Sequence, residues 1–383
     1  MYNVRENIQA RIGNFRMDHY WFWYSNFIPR LHNWLLDLGF ETGKIMPSRA
    51  FCSDESQGYP IILLAKHFGV FPFNHGQVGG IMACERHGPH AHHGKDLFIL
   101  HASHVGYDPI TKVYGTYRRI QSEHSQCSSN CGKIHGVLDW YLKEYEFAKN
   151  HIFVDMHAKR CLITIDNQFL SRTRELSLML NLEKMIEMHS EGEYIPISIQ
   201  STSRTFQATQ DFFDHMNWFF DINSGPQAIG DSLLPEYFSY TYQTDLVGGF
   251  DSMQQIEKNL MRAMPWIVTS SNPMLTSAQV NTEAEFDRAF RSVSQDPAYA
   301  GRNLVYISGL NIDISPEEDQ DYVLTKFIPW AAYVQLSSGE RYILEQQELF
   351  DKLKSYSLEN ETQVQLDLVI EHMSQAEPID LNL

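Results

Sequence analysis

The run DLFILHASHVGYD, residues 96–108, decides how the fold is read. Leu97, Phe98, Ile99 and Leu100 follow one another without a break before the segment turns polar. An unbroken apolar run of this length, bounded by polar residues, is what a central strand covered on both faces requires, as in parallel sheets. His101 and His104 then fall at or just beyond its C-terminal end, where open α/β sheets bind their ligands.

Outward from this strand the thiols and imidazoles concentrate. Upstream stand CSDE at 52–55, HGQVGGIMAC at 75–84 and HGPHAHH at 87–93; downstream stands QCSSNCG at 126–132. Of the chain's 5 cysteines and 17 histidines, four cysteines (Cys52, Cys84, Cys127, Cys131) and nine histidines lie between Cys52 and Gly132. Soft and borderline donors gathered in this way suit a metal such as zinc.

Composition narrows the alternatives. At 383 residues, 43% hydrophobic and 20% charged, the chain is of ordinary globular type and long enough to bury a core without disulfide support. A net charge of −17, with no long run of Lys or Arg, argues against nucleic acid as a partner. No window approaches the roughly 20 apolar residues of a membrane span, and the polar N-terminus lacks the pattern of a secretory signal. The expected compartment is the cytoplasm, where an odd number of cysteines reads as reduced thiols.

Taken in order, residues 3–40 carry two amphipathic helical patterns with a break expected at Pro29. The aromatic cluster Tyr20–Tyr24 has no basic flanks and reads as a packing surface. RAFC predicts a short strand, and Pro60 opens a helix running to Phe68. KIHGVLDWYLKEYEFAKNH predicts a helix over 133–151, with Cys131 and Gly132 at its entry. RCLITID and YIPISIQ predict strands, and RTRELSLMLNLEKMIEMH and FQATQDFFDHMNWFF predict helices. Alternation of this kind implies α/β architecture with a mainly parallel sheet flanked by helices. PWIVTSS and NLVYISGLNIDIS predict further strands, and Ser315-Pro316-Glu317 a helix start.

Two thiolates and one imidazole make the three protein ligands with which a catalytic zinc keeps a fourth position open. Cys52, His104 and Cys131 are the candidates, with Cys127 an alternative to Cys131 and His101 an alternative to His104. Asp54, two residues beyond Cys52 on an extended segment, points to the same side and can accept a hydrogen bond from a reacting water. Cys127 and Cys131 also allow a thiol redox reading, although three residues rather than two separate them. Cys161, in an apolar strand, reads as core.

Together, CSDE, the glycine-rich HGQVGGIM with the following HGPHAHH, SHVGYD after an apolar strand, and the hydroxyl-rich turn into NCG resemble the limiting-CO2-inducible protein B/C family. The resemblance covers roughly residues 45–200. It implies a β-carbonic-anhydrase-like domain and a lyase interconverting CO2 and bicarbonate at a Zn2+ held by Cys52, His104 and Cys131, with Asp54 paired to an arginine. The expected partition is an N-terminal helical segment at 1–44, the zinc-binding core at 45–200, an α/β C-terminal extension at 201–375 and a tail at 376–383. A homodimer is implied as well.

One position departs from the family pattern: Ser56 stands where the β-type motif has an arginine two residues after the aspartate. The partner of Asp54 must come from Arg86, Arg118 or Arg119, of which Arg86, near the glycine-rich segment, is taken first. Should none reach it, Asp54 itself closes the metal site and the protein is a silent relative that binds bicarbonate or a partner. Phe71, Phe73 and Val78 are candidates for an apolar wall, and His87, His90, His92 and His93 for proton shuttles.

Overall fold

The computed structural model describes residues 15–84, 96–120, 127–171, 178–189, 192–243, 252–317, 320, 322–359 and 366–375. The chain divides into two compact units, one of Ala10–His135 with Ala278–Leu383 and one built on Gly136–Ser277.

The first unit is organised by a sheet of eight strands. In chain order its elements are β1 (Phe22–Trp23), α1 (Tyr24–Asp37), β2 (Ile45–Ala50), α2 (Gly58–Phe68), β3 (Phe73–Asn74) and β4 (Asp96–Asp108). After α3 (Gly132–His151) and α4 (Pro273–Gln295) come β5 (Leu304–Ile314), β6 (Leu324–Gln335), β7 (Arg341–Glu345) and α5 (Gln346–Lys354). The spatial order is β1-β6-β5-β4-β2-β3, with β7 beside β6 and Val113–Tyr114 beside β4. The four strands β5, β4, β2 and β3 are mutually parallel. Antiparallel pairing is confined to β6, β1 and β7 at one side and Val113–Tyr114 at the end of β4.

Alternation along β4 builds two cores, one on each face of the sheet. Phe98, Leu100 and Ala102 pack with Phe27, Ile28, Leu31 and Trp34 of α1, Leu64 and Phe68 of α2 and Leu349 and Leu353 of α5. Leu97 and Ile99 pack on the other face with Phe286, Ala289 and Val293 of α4. This double cover is why β4 reads as a continuous apolar run. Register extends the pattern to β5, where Val305 lies opposite Phe98 and Ile307 opposite Leu100.

The second unit carries an antiparallel sheet, Ser198–Ile199, Ser203–Gln207, Arg160–Asp166, Ile152–His157 and Gln227–Ala228 in that order. Here the parallel arrangement expected from strand-helix alternation is corrected. The helix expected over 172–189 is a strand at Leu178–Leu180 and a short helix at Leu182–Met185 among its described residues. The expected strand YIPISIQ is reduced to Ser198–Ile199, and the helix in FQATQDFFDHMNWFF to Gln210–Met216. PWIVTSS is also corrected: its β-branched residues suggested a strand, but Met264–Val268 is helical, with Pro265 in the first turn where a missing N–H costs nothing.

Two further corrections fall in the first unit. α1 runs through Pro29 without a break, held by Phe27, Ile28, Leu31, Trp34 and Leu35, none of which is exposed. The described residues around Ser315-Pro316-Glu317 carry no helix.

Candidate metal centre

The site is assembled at the C-terminal ends of the parallel strands, from three stretches that the topology brings together. Along one face of β4 the residues run Phe98, Leu100, Ala102 and then His104; along the same face of β5 they run Val305, Ile307, Gly309 and then Asn311 and Asp313. Both strands change from apolar to polar at the same level. His101, three residues before His104, points to the opposite face, where its ring bonds Ser308 Oγ at 2.7 Å and Gly80 O at 2.8 Å. Strand alternation thus separates the two candidate histidines, and His101 is a buried histidine with both nitrogens occupied.

Cys52 follows the end of β2, and a turn through Gly79 and Gly80 directs the Gly79 N–H to its Sγ at 3.1 Å. Gly80 has a φ of +73°, and a Cβ there would meet Ala102 O at 2.7 Å, so only glycine permits the approach. Cys131 immediately precedes α3. The segment before it is tied to β4 by the Gly106 N–H, which donates to Asn130 O at 3.1 Å.

Cys52, His104 and Cys131 are all buried, and one ligand atom from each lies within 4.8 Å of the others. Cys127 is exposed, Cys84 half-buried, and Cys161 buried in the other unit's sheet. His104 Nδ1 is engaged by Asp313 Oδ2 at 2.8 Å, whereas Nε2 is buried with no hydrogen-bond partner. A buried ring nitrogen without a hydrogen-bond partner, grouped with two thiols, is a donor set that suits a cation. The donor set fits a metal ion and is consistent with zinc.

Electrostatics agree with that fit. The Cys131 thiol donates to Cys52 and, aided by His104 and the Gly79 N–H, holds Cys52 well below the ordinary thiol range despite its burial. The same sharing, with burial, holds Cys131 above it. Burial disfavours a charged His104, but the Cys131 sulfur and the Asp313 carboxylate outweigh it and raise the imidazole well above its ordinary value. These protons are the ones a metal ion displaces on binding.

Asp54 caps the short turn Glu55–Gln57, its Oδ1 accepting from the Ser56 N–H at 3.2 Å. Its burial opposes ionisation, yet the positive field of His104, the Ser56 N–H and Arg119 bring it below the ordinary carboxylate range. Arg119 Nη2 lies 3.3 Å from Asp54 Oδ2, and its Nε lies 2.9 Å from Glu55 Oε1. Of the other two candidate arginines, Arg118 gives its guanidinium to the Pro316 carbonyl, and Arg86 lies outside the described residues, as do His87, His90, His92 and His93. Phe71 and Phe73 are 69% and 44% exposed, which does not make a closed apolar wall. Ser56, at the position of the missing arginine, donates to Asp313 Oδ2 at 2.8 Å. Asp313 was not foreseen from sequence: it lies 209 residues from His104, and only the β4–β5 pairing brings it there.

The chain is thus a mixed α/β protein with a parallel-centred sheet and a buried Cys-His-Cys group at its strand ends. No protein-family model matches it, and no curated protein does. Among solved structures it is similar to PtLCIB4, a homolog of the limiting CO2-inducible protein LCIB, with a TM-score of 0.45 and 11% identity over 88% of this chain and 99% of that one. It is likewise similar to the limiting CO2-inducible protein LCIB, with a TM-score of 0.43 and 12% identity over 85% of this chain and 94% of that one.

Proposed function

We propose that this protein is a zinc-dependent carbonic anhydrase that interconverts CO2 and bicarbonate. The observation that carries the reading is the buried Cys52–His104–Cys131 group beside an aspartate held by Arg119. Three protein donors leave one coordination position for substrate or water. A zinc ion at such a site supplies Lewis acidity that lowers the pKa of water from 15.7 toward about 7.

The remaining work falls to the chain. The Asp54 carboxylate is engaged by Arg119 in an ion pair, which supports an open site over one closed by Asp54. Kept ionised, Asp54 can only accept a hydrogen bond, so it orients the reacting water with an oxygen lone pair toward the carbon of CO2. Addition of water to CO2 gives bicarbonate and one proton, and the proton must leave for solvent. Arg119, partly exposed, and Glu55 mark the solvent side of the pair.

Stopped-flow CO2 hydration by zinc-loaded protein tests the reading, with Cys52→Ala as the control. Turnover above buffer in the wild type and none in the variant is expected; no turnover in a wild type carrying zinc overturns catalysis and leaves a bicarbonate-binding relative. Among the described residues no helix is long and apolar enough to cross a membrane. A homodimer is part of the proposal, and a particle of 44 kDa by light scattering contradicts it.

A further inference from the structure

We infer that His104 is oriented for metal binding by a directional hydrogen-bond relay, Tyr24–Asn311–Gln57–Asp313, which makes these four positioning residues of the site. The inference rests on the zinc reading above and adds to it the residues that set the tautomer of the ligand.

The direction is set at Asp313, whose carboxylate oxygens only accept, so that Gln57 must present its amide nitrogen to them. At the far end Tyr24, the first residue of α1, is buried, and its hydroxyl donates to Asn311 Oδ1 at 2.7 Å. The Asn311 amide turns its Nδ2 toward Gln57 Oε1, at 2.7 Å. Gln57 Nε2 reaches both Asp313 oxygens at 2.9 Å. Neither amide can flip without setting donor against donor or acceptor against acceptor. Ser56 Oγ adds a donor to Asp313 Oδ2 at 2.8 Å, and Thr325 Oγ1 lies 3.5 Å from Oδ1.

The Asp313 carboxylate accepts from each of these groups, and it accepts as well from His104 Nδ1, at 2.8 Å. A proton held on Nδ1 leaves the Nε2 lone pair for a metal ion, and Nε2 is the buried atom with no partner. Sheet geometry accounts for the placement: Asn311 lies opposite His104 in the parallel register, and Asp313, two residues on, shares its face. The relay buries four polar side chains where the same strand face is otherwise apolar. Burial of polar groups at such a cost points to a task beyond packing.

The test is zinc affinity of the full chain by competition with a chromophoric chelator, together with the visible spectrum of the Co2+ form, for wild type, Asp313→Asn, Gln57→Leu and Tyr24→Phe. Asp313→Asn is expected to weaken zinc binding about 10–100-fold and shift the cobalt bands, the range typical when the partner of a ligating histidine is lost. Gln57→Leu and Tyr24→Phe, further along the relay, are expected to weaken it in descending order. Tyr24→Phe removes one oxygen from a packed ring and guards against a variant that fails to fold. Variants that lose urea resistance but keep wild-type zinc affinity and cobalt spectrum show a purely structural network and overturn the relay alone. A wild type that binds no zinc overturns the metal reading and the relay with it, while one that binds zinc without hydrating CO2 overturns only the turnover.

Discussion

Strand β4 and the strand Arg160–Asp166 are both central in their sheets, yet they are built to different specifications. β4 is buried at nearly every position, whereas Arg160–Asp166 alternates between buried and half-exposed residues. The first lies between parallel neighbours with helices on both faces; the second pairs antiparallel on both sides and covers a core on one face only. A water-excluded metal group can be set into the first sheet, because polar residues there meet other protein groups on every side. On the second, half of the side chains already face water. The buried Cys-His-Cys group thus lies beside a strand that is covered on both faces.

Truncation should break this symmetry most visibly. Leu100→Ala, in a side chain with no exposure, is expected to cost about 2–5 kcal/mol, and Leu162→Ala, half-buried on the antiparallel sheet, about 1 kcal/mol or less. Urea unfolding read by hydrogen exchange in each strand checks the contrast, and equal costs contradict it. A smaller effect is expected at the turn that reaches Cys52. Gly80→Ala places a methyl against the Ala102 carbonyl in a left-handed conformation, at a cost of about 1–3 kcal/mol, and draws the Gly79 N–H from the sulfur. Weaker zinc retention should accompany the loss of stability; unchanged retention contradicts the role given to the turn.

Much of this was legible before the structure. The unbroken apolar run identified β4, the period over 133–151 identified the helix Gly132–His151, and the concentration of thiols pointed to Cys52, Cys84, Cys127 and Cys131. Local signals sufficed for each. What stayed hidden depends on non-local pairing: Asp313 and Asn311 look like ordinary strand-end polar residues until β5 lies parallel to β4. Arg119 stood among three candidate partners of Asp54, with Arg86 taken first, because nothing local says which arginine reaches it from 65 residues away. The short elements of the second unit were misread for a related reason. A helix such as Met264–Val268 is settled by what it packs on, and its five residues carry too little periodicity to say so.

A milder distinction should appear with pH. Burial brings His75 down to about 3 and His67 down to about 4, both in the parallel-sheet unit. Their folded values lie below the unfolded value of about 6.5, so the unfolded chain takes up protons that the folded one refuses. Their contribution to stability is therefore full above pH 6.5 and is lost as pH drops from there toward 3. The urea midpoint of metal-free protein should follow this course, and a His67→Gln, His75→Gln double variant should show a shallower fall. An identical slope in the double variant contradicts the assignment.

Zinc content tests the centre itself most directly. Purified protein loaded with zinc and freed of excess is expected to hold one ion per chain in the wild type and in Cys127→Ala, whose thiol is exposed, and to lose it in Cys52→Ala and Cys131→Ala. One ion per chain retained in Cys131→Ala contradicts the account.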